Sequence, residues 1–337
     1  MNQMLCDHID QLDLALDQLA IKDRNFDRFA IMLIDNVVEL TLHQHARDKQ
    51  VFDGAWSPSV GKEFSAKALQ AALGQKFDAK VAFALKTGLL TKEMSQSINW
   101  LHSFRNSSYH AGLRHEGILH SLANFYFLNC CDLLARYRPV FWSFGSEPVS
   151  HRVAKYLDDT ESMELLWKMG DVFDLAWKRL RAVAVNMRCD MVGDLTRDWE
   201  NTLDLVDEQI KFIATNAPHR GKYSRDQVVV DAQTWALVSS DKGVKYAVDN
   251  GYTGRPVQGP AITKWLLSNH KAQFPVDPVP AWRERLQSFR KERDRHKALE
   301  KYCSFITQTQ VVRDAIAHQS DLLDSYIQEQ IDLARGK

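Results

Sequence analysis

Apolar residues recur every three or four positions through most of the first 140 residues, the spacing of one helix face. Residues 9–19 (IDQLDLALDQL) place Ile9, Leu12, Leu16 and Leu19 on one stripe. Residues 26–45 continue with Phe26, Phe29, Leu33, Val37 and Leu40. A loop holding Gly54, Pro58 and Gly61 follows, then a short helix is expected from Phe64 to Leu73. Phe77–Leu90 and Lys92–Phe104 read as two more helices, parted by Gly88 and Thr91. The last helix of this half, Glu116–Tyr137, carries Ile118, Leu119, Leu122, Phe125, Leu128 and Leu133.

The period breaks at Arg138–Ser150 (RPVFWSFGSEPVS), which holds Pro139, Gly145 and Pro148 and is the expected domain boundary. Its three aromatic residues suggest that it packs rather than floats. Beyond it, residues 162–185 and 191–215 read as long helices. Residues 217–278 gather Pro, Gly, Asn and Asp, with β-branched runs at 227–231 and 235–240. An irregular insertion with a small hairpin is expected there. Two helices, about 280–307 and 311–334, close the chain. The expected fold is therefore mostly α, with helical domains at 1–140 and 150–337 and an irregular or partly β insertion at about 217–278.

Composition adds bounds. The 337 residues are 45% hydrophobic and 26% charged, enough for two ordinary cores. A formal net charge of zero argues against non-specific coating of nucleic acid, which needs surplus Lys and Arg to displace counterions. The densest basic stretch, Arg283–Lys301, is interspersed with Glu284, Glu292, Asp294 and Glu300, and reads as a solvated face laced with ion pairs. Cys6, Cys130, Cys131, Cys189 and Cys303 form no C-x2-C pair and read as reduced, mostly buried thiols. The N-terminus has acids where a secretory signal carries cations, and no apolar run approaches the ~20 residues of a membrane span. A cytoplasmic protein is expected.

Two hexapeptides carry the candidate chemistry: Arg105-Asn106-Ser107-Ser108-Tyr109-His110 and Arg313-Asp314-Ala315-Ile316-Ala317-His318. Each places Arg first, an amide or acid directly after it, and His five positions on. Each is expected to follow an apolar helix and to lie before, or at the start of, a final one. Arg-x4-His alone is a weak signal; the second residue, the flanking helices and the repetition strengthen it. Arg290–His296 competes in the second half, but Lys291 follows its Arg and it lies in a highly charged helix. At 100° per residue, positions five apart on a straight helix point about 140° apart. One unbroken motif therefore cannot easily aim both side chains at one phosphate.

The pattern resembles the HEPN superfamily, small helical bundles that include many ribonucleases of toxin–antitoxin, phage-defence and RNA-processing systems. The resemblance covers most of residues 1–140 in helix pattern, but only about the last 60 residues of the second half. It implies a metal-independent endoribonuclease acting through 2′-OH attack, a growth-arrest toxin or phage-defence effector, in which two motifs face each other across a pairing of domains or chains. His110 and His318 would move protons, Arg105 and Arg313 would hold the phosphate, and Asn106 and Asp314 would orient their neighbours. No cofactor or metal is implied. The implied partners are an RNA substrate, an antitoxin or defence protein, and a second copy of the chain, with no membrane. A non-catalytic HEPN-like scaffold binding a protein or a nucleotide stands as the alternative, since the His can be a helix cap and the Arg can pair with an acid.

Other signals are set aside. In Gly54–Lys62 (GAWSPSVGK) six residues separate the glycines, and Glu63 replaces the Ser or Thr of a P-loop. His115-Glu116…His120 is one residue too long for a zinc-binding H-E-x-x-H. His43 and His45 are expected at the surface.

Overall fold

The computed structural model describes residues 3–56, 64–110, 116–140, 149–157, 169–218 and 223–336, with only the backbone at 53–56, 108–110, 116 and 169. Among the described residues are fourteen α-helices and no strand. The chain is mostly α, as its periodicity predicts. Contacts divide it into two compact units: unit 1 is Met1–Leu195 with Arg293–Glu300, and unit 2 is Thr196–Glu292 with Lys301–Lys337. The division therefore does not fall at 138–150.

Unit 1 holds α1 (Gln3–Ile21), α2 (Arg24–Trp56), α3 (Ala66–Leu73), α4 (Phe77–Lys86), α5 (Lys92–His110), α6 (Glu116–Arg136), α7 (His151–Ala154) and α8 (Met169–Asn186). Helix α6 is its centre, packed by α1, α2, α5 and α8. A helix surrounded on all sides is apolar on all sides. The stretch Gly117–Arg136 is thus long and apolar enough to cross a membrane by length and composition, but 83% of it is buried inside the unit. This corrects the expectation that no apolar run approaches that length. The segment after the expected boundary belongs to unit 1. Ser150 caps α7 by accepting from the Val153 N–H at 3.1 Å, and buried Asp13 of α1 accepts from Tyr156 at 2.6 Å and Lys155 at 2.9 Å, and pairs with Arg152.

Along α1 the predicted stripe is buried as expected: Ile9, Leu12, Leu16 and Leu19. On α2 it is rotated. Phe26, Phe29 and Leu40 are exposed, and the buried face runs through Asp27, Ala30, Ile31, Ile34, Asp35, Val37 and Val38. The two aspartates belong to the core face because α6 supplies their donors. Asp27 accepts from His120 at 2.7 Å and Asp35 from Tyr126 at 2.7 Å, while Asp48 accepts from Tyr137, one residue past α6, at 2.6 Å. Paired in this way, a buried carboxylate escapes most of its desolvation penalty.

The remaining helices are α9 (Met191–Asn216), α10 (Arg225–Val238), α11 (Asp241–Asp249), α12 (Pro260–Asn269), α13 (Val279–Phe289) and α14 (Arg295–Ala334). The core of unit 2 is aromatic. Trp199 stacks on Phe305 at 4.0 Å and tilts against Phe289 at 5.0 Å. The expected irregular or partly β segment, 217–278, is helical where described apart from its connections. Ser224 caps α10 through the Gln227 N–H, and Val228, Val229 and Ala232 share its buried face. Tertiary burial outweighs the weak β-propensity of that run. Ala247, Ile262 and Leu266 form the small core of α11 and α12.

The C-terminal helices also divide elsewhere than expected. Asp294 caps α14, accepting from the His296 and Lys297 N–H groups at 2.9 and 3.2 Å. The break lies at 290–294, and α14 runs unbroken through 307–311, where no Gly or Pro interrupts it.

Candidate functional site

Both hexapeptides are helical. Helix α5 does not end at Phe104 but continues through His110, so Arg105–His110 forms its last turn and a half rather than a break before α6. The side chains of Ser108, Tyr109 and His110 lie outside the described residues, as does most of the P-loop-like stretch Gly54–Lys62.

The Arg105 side chain is one-third exposed. Its Nη1 donates to Asn106 Oδ1 at 2.9 Å, a contact of the kind expected of an orienting neighbour. Its Nε lies 3.5 Å from Asp35 Oδ2 but has no hydrogen-bond partner among the described residues. That separation is close enough for Coulombic attraction while lacking the alignment of a hydrogen bond. Asp35 is itself almost fully buried and is held by two further donors. Tyr126 donates at 2.7 Å, and His102 Nδ1 lies 2.9 and 3.1 Å from the two carboxylate oxygens. Burial, then the adjacent Asp35 charge, pushes the Tyr126 hydroxyl well above its ordinary value, so it stays a donor. The His102 ring stacks flat on Phe77 at 3.7 Å. The result is a fixed polar cluster of Asp35, His102, Arg105 and Tyr126, built by α2, α5 and α6 with α4 as its floor.

Three of these four residues carry no motif. His102 precedes Arg105 by three positions, one helical turn on the same face. Asp35 is the lone acid in the apolar run Ala30–Val38. Those are the signals that could have pointed to them.

In unit 2, Arg313 lies within α14 and points along its own helix. Its Nε donates to Thr309 Oγ1 at 3.0 Å and its Nη2 to the Ile306 carbonyl at 3.2 Å. Burial pushes the guanidinium below its ordinary value, partly opposed by Asp314, Tyr302 and Asp198. Tyr302 donates to Asp198. Each hexapeptide arginine thus neighbours an Asp–Tyr pair. Asp314 and His318 are exposed. A cavity of about 360 Å³ in the same unit is lined by Trp235, Tyr223, Asp231, Gln319 and Tyr326 among others, but by no residue of Arg313–His318.

The competing pair makes other contacts: Arg290 pairs with Glu200 at 2.7 Å, and His296 hydrogen-bonds Ser97 at 2.8 Å. Arg283 and Lys301 of the basic stretch are likewise ion-paired, with Asp204 and Glu292. His45 is buried, not at the surface, and hydrogen-bonds Thr87 at 2.8 Å. Among the described residues no group of three or more His, Cys, Asp or Glu side chains could hold a metal.

Comparisons with protein-family models, curated proteins and solved structures find no match to this chain.

Proposed function

We propose that the chain is a metal-independent endoribonuclease of the HEPN type, acting as a growth-arrest toxin or phage-defence effector, with Arg105, Asn106 and His110 at its catalytic centre. The supporting observation is the state of Arg105. A guanidinium anchored by Asn106 and drawn towards a buried carboxylate, on a side chain that is one-third exposed, keeps donors for a phosphate. In this reading Arg105 stabilises the charge that builds on the phosphorus oxygens. His110 takes the 2′-OH proton or gives one to the departing 5′-oxygen, and the products are a 2′,3′-cyclic phosphate and a 5′-OH. Asp35 and His102 act behind Arg105 as positioning residues. The centre is completed by a second motif, Arg313 with Asp314 and His318, or by a second copy of the chain. An antitoxin or defence partner would act on this centre.

The test is cleavage of end-labelled RNA by purified protein in EDTA. Cleavage lost in His110→Ala and also in His318→Ala adds the second hexapeptide to the catalytic set. Loss in His110→Ala alone leaves completion to a second copy. Absence of cleavage by folded wild-type protein overturns the reading. A second reading, a non-catalytic helical scaffold that binds a protein or nucleotide, is favoured by Arg313, whose guanidinium is already engaged by Thr309 and Ile306.

A further inference from the structure

Along α10, Val228, Asp231, Ala232 and Trp235 fall at positions i, i+3, i+4 and i+7, and along α14 so do Gln319, Leu322, Leu323 and Tyr326. Each set occupies one helix face. Two such faces ordinarily bury each other, because protein interiors leave few voids larger than a water molecule. Here both sets line the cavity of about 360 Å³ in unit 2. At roughly 30 Å³ per water in the liquid, that is space for about a dozen waters. It is also within the size range of small-molecule pockets. Val228 and Ala232 are buried, whereas Trp235, Leu322 and Tyr326 are exposed. Aliphatic side chains of α10 therefore form the floor, and two aromatic residues stand at the mouth.

Polar groups in this space are few. Asp231 Oδ2 accepts from the Tyr223 hydroxyl at 2.6 Å. Burial, then the hydrogen bond to Asp231, pushes that hydroxyl above its ordinary value, so it stays the donor. A carboxylate has about four acceptor positions, and this bond takes one. Tyr223 thus fixes the carboxylate without neutralising it. Among the described lining residues, Asp231 is the one charged side chain. A neutral or anionic ligand filling the cavity would strip water from that charge and return nothing. A cation pairs with it, and the rings of Trp235 and Tyr326 attract cations as well. The apolar remainder of the wall suits an apolar body on the same molecule.

We propose that this cavity binds an arylalkylamine: one protonated amine paired with Asp231, on an aromatic body. The ammonium sits beside Asp231 and Trp235, which lie one turn apart on α10. The aromatic body covers Val228, Ala232 and Leu323. Binding here is separate from the proposed RNA cleavage, since no residue of Arg313–His318 lines the cavity.

The experiment is isothermal titration of the full chain with tryptamine, a cation at neutral pH. Two analogues with the same ring accompany it: tryptophol, which is neutral, and indole-3-acetate, an anion. Tryptamine is expected to saturate one site per chain. Tryptophol should bind at least about tenfold more weakly, and indole-3-acetate not at all. This comparison on wild-type protein needs no variant. Asp231→Asn keeps an acceptor for Tyr223; it should weaken tryptamine about tenfold and leave tryptophol within about twofold. Trp235→Ala, at an exposed position, should weaken tryptamine about fivefold. Absence of saturable tryptamine binding, equal affinity for the three compounds, or unchanged tryptamine affinity in folded Asp231→Asn would each overturn the proposal.

Discussion

Asp35 is the residue whose removal should reach both the stability of unit 1 and its candidate chemistry. It is 1% exposed and receives Tyr126 at 2.7 Å and His102 at 2.9 Å, with Arg105 at 3.5 Å. Hydrogen bonds to an ionised acceptor contribute about 1.5–3 kcal/mol, and neutral ones about 0.5–1.5 kcal/mol. Asp35→Asn keeps the shape and weakens two such bonds, so a loss of about 2 kcal/mol is expected. Asp35→Ala leaves the Tyr126 hydroxyl, itself 0% exposed, without an acceptor, and about 3–5 kcal/mol is expected. The assay is urea unfolding of the full chain for Asp35→Asn, Tyr126→Phe and the double variant. Their coupling should reach about 1.5–3 kcal/mol if carboxylate and hydroxyl act as a pair. Additivity within about 0.5 kcal/mol would show that the cluster is not a unit.

Trp199→Ala should destabilise unit 2 by about 3–5 kcal/mol, measured by denaturant titration, because it empties the aromatic stack on Phe305 and Phe289. Asp294→Ala should cost about 1 kcal/mol in the same titration, since it removes the acceptor for two N–H groups at the start of α14. Stability should peak near pH 6.5. Burial lowers His8 and His45 to about 4, so below pH 6.5 the unfolded chain binds more protons. Stability then falls as pH falls, by roughly 3 kcal/mol for each ring at pH 4. His120, raised to about 10, has the opposite sign: its contribution is full below pH 6.5 and is lost as pH rises through 10. A urea midpoint that stays flat from pH 4.5 to 6.5 contradicts the buried-neutral state of His8 and His45.

The helical class was legible because burial of one helix face imposes a period of 3.6, and α1 and α4 carry that period plainly. The rotation of α2 was not legible. Reading Phe26 and Phe29 as core and Asp27 and Asp35 as surface follows hydrophobicity, yet the carboxylates are the buried pair. Only the tyrosine and histidine of α6 reverse that order, and they lie 91 and 93 positions away in sequence. The same holds at the C-terminus. Asp294 looked like one more member of an ion-paired run, and its backbone contacts made it a cap instead.

What the sequence determined by itself was local: helix class, the chemistry available at Arg105–His110 and Arg313–His318, and a charge balance unsuited to coating nucleic acid. The tertiary structure decided what each polar group faces. It gave Arg105 a buried carboxylate, turned Arg313 onto its own helix, and set His120 against Asp27. The reason is that a charged side chain inside a protein is stable only beside its partner, and partners distant in sequence meet only when the chain folds.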